Sequence, residues 1–155
     1  YSGNYLKIFE LMKKYLPAYK IEAPKLFKVL LFNYLFSNGD AHFKNFSLVE
    51  TPFGDFRLSP AYDLLNSRIH IEDSDFALED GLLPRNLTQG KISQQFSVLA
   101  EMVGLSDKQF TDLLIIETTN SKKVEELVEA SYLNDKTKAN YWQAYQARLK
   151  RMNKS

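Results

Sequence analysis

The sequence predicts a mainly α lobe carrying one small β-hairpin insert. Apolar residues recur at helical spacing before Ser37 and again from Ser93 onward. A single change to strand-like runs falls between Phe46 and Leu58. With only 6 Gly and 5 Pro, the chain is not dominated by loops or disorder.

The first predicted helix spans residues 4–16, with a broad apolar face made by Tyr5, Leu6, Ile8, Phe9, Leu11, Met12, Tyr15 and Leu16, and Pro17 stops it. Pro24 is expected to open the second helix at its first turn. From Leu26 to Phe36 that helix is apolar nearly all round, which places it in the middle of the lobe. Ser37, Asn38 and Gly39 tolerate left-handed backbone and end it. Phe46–Val49 and Phe56–Leu58 flank a Pro/Gly turn and read as a hairpin. Residues 66–90 are irregular and polar, with slight alternation at Arg68–Ile71, and are expected to form a long surface segment. Ser93 is expected to cap a third helix that closes at Gly104, and Ser106 with Gln109 forms a capping box for a fourth. Val124, Leu127 and Val128 mark a short fifth helix, and Asp135 begins a sixth containing Tyr141, Trp142, Tyr145 and Leu149.

The length of 155 residues fits one domain or one lobe of a larger one. A net charge of +1 gives no overall field toward nucleic acid or anionic membrane. The absence of Cys excludes disulfides and thiolate metal sites and is compatible with a reducing compartment. No apolar run reaches the roughly 18–20 residues of a membrane span. The longest, Leu26–Phe36, also carries Lys28 and Asn33. Tyr141, Trp142 and Tyr145 beside Lys150, Arg151 and Lys154 resemble a nucleic-acid surface in composition, but aromatics at helical spacing read first as a packing face.

Chemistry concentrates where the buried helix gives way to the hairpin, in Asn38-Gly39-Asp40-Ala41-His42-Phe43-Lys44-Asn45 and in Asp63 beyond the second strand. An Asp and an Asn five residues apart, with a distant Asp, is a set that phosphoryl-transfer enzymes use: one carboxylate faces the acceptor hydroxyl, and the Asn and second Asp hold Mg²⁺. Asp40 is the candidate base, on a loop supported by a rigid helix. Asn45 offers a neutral oxygen to Mg²⁺, and the hairpin is expected to bring Asp63 back beside it as the second ligand. Asp63 alone also reads as a helix N-cap, and Asn38 and Gly39 alone as turn residues. His42 either holds Asp40 in place or contacts a phosphate, and Lys44 either neutralises charge on the transferred group or is simply solvated. A hydrolytic Zn²⁺ or Mn²⁺ site built from Asp40, His42 and Asp63 is weaker, because the chain has only 2 His and no His pair on a helix. There is no nucleophile elbow, Walker motif or Gly-rich phosphate loop.

Asp40-Ala41-His42-Phe43-Lys44-Asn45-Phe46-Ser47, followed by Leu58-Ser59-Pro60-Ala61-Tyr62-Asp63, resembles the HipA family of bacterial toxin kinases. Ser131-Tyr132-Leu133 and the Tyr-rich final helix with Arg148 are similar as well. The resemblance covers most of the chain and is weak between Asn66 and Gly90. It implies the C-terminal lobe of a protein-kinase-like fold, with residues 1–155 as one HipA-like C-terminal domain. It also implies a cytoplasmic serine/threonine kinase that uses ATP and Mg²⁺, acts on a protein substrate and pairs with a small DNA-binding antitoxin of HipB type, without itself contacting nucleic acid. On this resemblance Asp40 is the base and Asn45 and Asp63 are the Mg²⁺ ligands. The spacing is shared by lipid and other atypical kinases, so it does not fix the substrate. The resemblance further implies a nucleotide-covering N-lobe and an inhibitory autophosphorylation site in the family's N-terminal loop; since Tyr1 is not a translation start and only about 37 residues precede the Asn38–Asn45 loop, both are expected outside this sequence. The other class of function is a non-catalytic subunit that binds a kinase N-lobe or an antitoxin.

Overall fold

The structure, a computed structural model, describes residues 2–69, 74–88 and 90–153. Among these residues, six helices and one hairpin follow in the order α1 (Leu6–Tyr15), α2 (Tyr19–Leu35), β1 (Leu48–Glu50), β2 (Phe56–Leu58), α3 (Ile92–Met102), α4 (Asp107–Thr118), α5 (Ser121–Ala130) and α6 (Asp135–Asn153). Short 3-10 turns at Phe43–Asn45 and Ser67–Ile69 stand on either side of the hairpin.

Helix α2 is the axis of the lobe. It packs against α1, α4, α6 and β2 and buries Leu26, Phe27, Leu30, Leu31, Tyr34 and Leu35 completely. That burial follows from the broad apolar face of residues 26–35, which leaves Lys25 and Lys28 to solvent. Phe27 meets Phe96 and Phe110 edge to face, and Tyr34 meets Phe96 in the same way. Pro24 lies inside α2 and not at its first turn, because the helix starts at Tyr19. The missing N–H costs one bond to the carbonyl of Lys20, an exposed residue. Beginning early buries Glu22 and Ala23, which a helix opened at Pro24 would leave behind.

The apolar face of α1 is narrower than its sequence suggests: Leu6, Ile8, Phe9 and Met12 are buried, whereas Leu11 and Tyr15 face solvent. Residues 74–88 also depart from the expected surface segment. Leu78, Leu82 and Leu83 are core residues, and Phe76 packs on Tyr5 and Tyr34. The backbone N–H groups of Tyr5 and Leu6 donate to the carbonyls of Gly81 and Leu82 at 3.0 and 3.1 Å. Successive turns scatter the apolar positions without a period, so the burial has no periodic signature. Gly81 makes one such turn at φ +71°, where a Cβ would stand 3.2 Å from the Phe76 ring. In the expected alternation, Arg68 and Ile69 belong to a 3-10 turn and residues 70–73, including His70, lie outside the described residues.

Ser93 does not cap α3. Lys91 occupies the cap position, with its N–H donated to Gln94 Oε1 at 3.0 Å, and Gly104 ends the helix at φ +82°. The Ser106–Gln109 box forms as expected, and Asn134 caps α6 by accepting from Thr137 N at 2.9 Å. The α6 aromatics face inward. Tyr145 stacks on Phe36, Trp142 stacks on Tyr145, and both belong to the same cluster as α2. Among the described residues no helix is long and apolar enough to cross a membrane.

Candidate active site

The site begins where α2 ends. Ser37 enters the left-handed region at φ +56°, Asn38 N donates to Asn33 O at 2.9 Å, and Ser37 N donates to Tyr34 O at 3.3 Å. These are the two bonds of a Schellman ending, built on Ser where Gly is usual. The turn lifts Gly39 and Asp40 out of the core. Ala41 then tucks back in, and its carbonyl accepts the buried hydroxyl of Tyr5 at 2.7 Å. Burial pushes that hydroxyl's pKa up, so it stays a donor.

His42 Nε2 stands 3.2 Å from Asp40 Oδ1, with the imidazole mostly buried and the carboxylate half exposed. His42 thus fastens the carboxylate itself. Lys44 is exposed on the 3-10 turn, and its carbonyl accepts the Tyr62 hydroxyl at 2.9 Å. The same hydroxyl is 2.7 Å from Ser47 Oγ, so one phenol pins the segment entering the hairpin to the segment leaving it.

The hairpin pairs Leu48 with Leu58, Val49 with Arg57 and Glu50 with Phe56, and Ser59 N donates to Ser47 O at 2.8 Å. Equal strands return the chain to its point of entry. The buried carboxylate of Glu22 holds β2 to α2 by accepting Leu58 N at 3.2 Å. Asp63 therefore arrives beside the loop, and Asn45 Nδ2 donates directly to Asp63 Oδ2. Asn45 Oδ1 is buried and has no hydrogen-bond partner. Asp63 sits at φ +55°, a left-handed position that Asp tolerates at some cost, and residues 64–66 start no helix, so it caps nothing.

The structure thus brings Asn45 and Asp63 into contact, pairs Asp40 with His42, and places Lys44 in the same turn. A small cavity of about 20 Å³ behind them is bounded by Asn33, Asn38, Asn45 and Asp63 and by apolar side chains. The donor set suits a hard cation held by a carboxylate and an amide oxygen, as Mg²⁺ is when phosphates and water complete its shell. Among the described residues, no three of His, Asp and Glu converge as metal ligands, so Asp40, His42 and Asp63 do not assemble the hydrolytic site considered from the sequence.

Sequence reading missed the residues behind this surface, namely Asn33, Ser67, Tyr5, Glu22 and the bridging role of Asn38. One signal was present: Asn33 is a polar residue within the apolar run of α2, and such a group requires partners.

A buried central helix that ends in a polar loop, with a hairpin returning an Asp to an Asn of that loop, defines the C-terminal lobe of a kinase-like fold. The chain belongs to the family of HipA-like C-terminal domains, whose model matches residues 1–132. It is 36% identical over 76 residues to a Sinorhizobium fredii protein named "Putative kinase Y4dM", covering 49% of this chain and 18% of that one. Its fold is similar to that of a chain in the solved complex of Shewanella oneidensis MR-1 HipA with HipB and operator DNA, with a TM-score of 0.65 and 22% identity, covering 97% of this chain and 35% of that one. The chain therefore spans 18% of the curated relative and 35% of the solved one. It is related to the HipA kinase toxins.

Proposed function

We propose that this chain is the C-lobe of an ATP- and Mg²⁺-dependent serine/threonine protein kinase of HipA type. The observation that carries the reading is the Asn45–Asp63 contact, with the buried Asn45 Oδ1 left without a hydrogen bond, directly beside the Asp40–His42 pair. Asp40 accepts the proton of the acceptor hydroxyl, and His42 holds its carboxylate so that one oxygen faces the substrate. Asn45 and Asp63 present one amide oxygen and one carboxylate to Mg²⁺, and the amide exposes either its oxygen or its NH₂ by turning about its last torsion. Bound Mg²⁺ supplies charge neutralisation for the ATP phosphates. Lys44, exposed in the same turn, adds positive charge at the mouth of the site.

A cytoplasmic location and a HipB-type antitoxin partner belong to the same proposal. They are supported by the family, by the HipA–HipB assembly of the Shewanella relative and by a chain free of Cys. Contact with operator DNA is assigned to the antitoxin, because α6 turns its aromatic residues inward.

Phosphoryl transfer requires a second wall over the nucleotide, so the test uses full-length protein that includes the nucleotide-covering lobe. Asp40→Asn is expected to lower transfer from ATP to protein by about 10²–10⁴-fold. Asp63→Asn is expected to raise the Mg²⁺ needed for half-maximal transfer. Wild-type turnover in both variants overturns the proposal. A second reading, a non-catalytic docking subunit, is favoured by the exposed Phe43, Leu48, Phe53, Phe56, Tyr62 and Leu64 around the hairpin. Antitoxin capture by a protein that never consumes ATP selects it.

A further inference from the structure

We infer that Asn38 is the positioning residue that sets the distance between the two halves of the site. This rests on the kinase reading above. Asn38 is 5% exposed, and each polar atom of its side chain is used. Its Oδ1 accepts the N–H of Asp40 at 3.3 Å. Its Nδ2 donates to Asn33 Oδ1 at 3.1 Å and to the carbonyl of Asp63 at 3.0 Å. One amide therefore ties the base to the backbone of the metal-ligand candidate and anchors both to the central helix through Asn33, itself buried.

Nothing else described bridges Asp40 and Asp63 by a single side chain. Ser67 reinforces the same junction four residues beyond Asp63: its Oγ accepts Gly39 N at 2.7 Å and donates to Ser37 O at 3.2 Å, and its N–H donates to Ser37 O at 3.1 Å. Among the described residues, the two non-glycine positions in the left-handed region, Ser37 and Asp63, each offer a carbonyl to this network, through Ser67 and Asn38 respectively. Strained backbone persists only where its surroundings over-determine it, and these bonds supply that constraint. A buried amide spanning two chain segments gives a rigid second layer of the kind that holds reacting groups in place.

The two ends of the amide can be separated by substitution. Asn38→Asp keeps an oxygen for the Asp40 N–H but removes the donor to the Asp63 carbonyl and to Asn33 Oδ1. Asn38→Ala removes both. Asn33→Ala releases only the anchor and serves as the milder variant if Asn38→Ala does not fold. In full-length protein with its nucleotide-covering lobe, we measure transfer rate, Mg²⁺ dependence, calorimetric binding of Mg²⁺ with a non-hydrolysable ATP analogue, and hydrogen exchange at the Asp40 amide. Melting temperature serves as the control for folding.

Asn38→Asp is expected to weaken Mg²⁺–nucleotide binding by about 10–100-fold, the usual loss when the support of a metal ligand is removed. The Asp40 amide is expected to stay protected in that variant. Asn38→Ala is expected to lose that protection as well and to lower kcat by a further factor of about 10². Folded variants that bind and turn over like wild type overturn the positioning role. The same result follows if the variants lose activity only in proportion to their melting temperature. If wild-type protein transfers no phosphoryl group and Asp63→Asn leaves Mg²⁺ binding unchanged, the kinase reading falls, and Asn38 is then a structural bridge alone.

Discussion

Replacing Arg148 with Met tests whether α6 holds the platform on which the site stands. Arg148 is 4% exposed, and its guanidinium donates to Tyr34 O at 2.7 Å, Ser74 O at 2.9 Å and, more weakly, Asp75 O at 3.5 Å. It also lies over the Tyr34 ring at 5.1 Å. Tyr34 is in the last turn of α2, just before the Schellman ending that launches the loop. Each hydrogen bond from a charged donor is worth about 1.5–3 kcal/mol. Two good ones are offset in part by the cost of burying the guanidinium, which Met does not bear. Met preserves the side chain's apolar length but leaves Ser74 O without this donor, so a net loss of about 3 kcal/mol is expected. For a chain of this size that lowers Tm by about 6–12 °C. Arg151 is the control, because its bidentate pair with Asp75 at 2.6 and 2.5 Å is half exposed. Arg151→Met is expected to cost about 0–1 kcal/mol. Chemical and thermal unfolding of the three proteins decide the matter. Equal losses for Arg148→Met and Arg151→Met refute the idea that burial converts this guanidinium into a clamp.

Ser37→Gly is expected to stabilise the chain by about 1 kcal/mol, since Gly accepts the left-handed backbone freely and the substitution removes a buried hydroxyl that has no partner; a drop in Tm contradicts the Schellman assignment. Glu22→Ala frees Leu58 N and is expected to loosen the hairpin, seen as faster amide exchange at Leu58, whereas Glu22→Gln, which keeps an acceptor, leaves exchange near wild type. Glu117 has its pKa raised from 4.5, chiefly by burial and against the opposing pull of Lys28 at 3.6 Å. The folded chain therefore binds that proton more tightly than the unfolded chain, and wild-type stability falls as pH rises from 4.5 through the raised value. Glu117→Gln is expected to be the more stable protein at neutral pH, with the difference in Tm closing in acid; a gap that widens as pH falls reverses the sign of the argument.

The features legible in the sequence are those with local or periodic causes. Helix α2 was readable because its residues from Leu26 to Leu35 are apolar nearly all round, and the Ser106–Gln109 box because capping chemistry lies within four residues. The meeting of Asn45 and Asp63 was readable because two short strands of equal length return a chain to where it left. Pro24 misplaced a boundary because the preference of Pro for a helix start competed with the burial of Glu22 and Ala23, and burial won. Phe76, Leu78, Leu82 and Leu83 gave no periodic signal because turns, not an element, deliver them to the core. The amide of Asn38 was legible only as a turn residue. Its bond to Asp63 O crosses 25 residues and leaves no trace in local pattern.

That division has a physical basis. Groups proposed to meet a substrate or metal are constrained by chemistry and keep a recognisable spacing, whereas the groups that hold them are constrained only by reach. Asp63 illustrates the consequence. A left-handed Asp costs about 1–2 kcal/mol relative to ordinary backbone, so in isolation the segment would relax and carry the carboxylate away from Asn45. The Asn38 bond to its carbonyl and the Asn45 bond to its carboxylate oppose that relaxation from two sides. The loop is fastened in turn to α2 through Asn33 and to α1 through Tyr5, and α2 is fastened to α6 through Arg148. The carboxylate at 63 is thus held by contacts that reach three helices, none of which carries a candidate catalytic or metal-binding residue of its own.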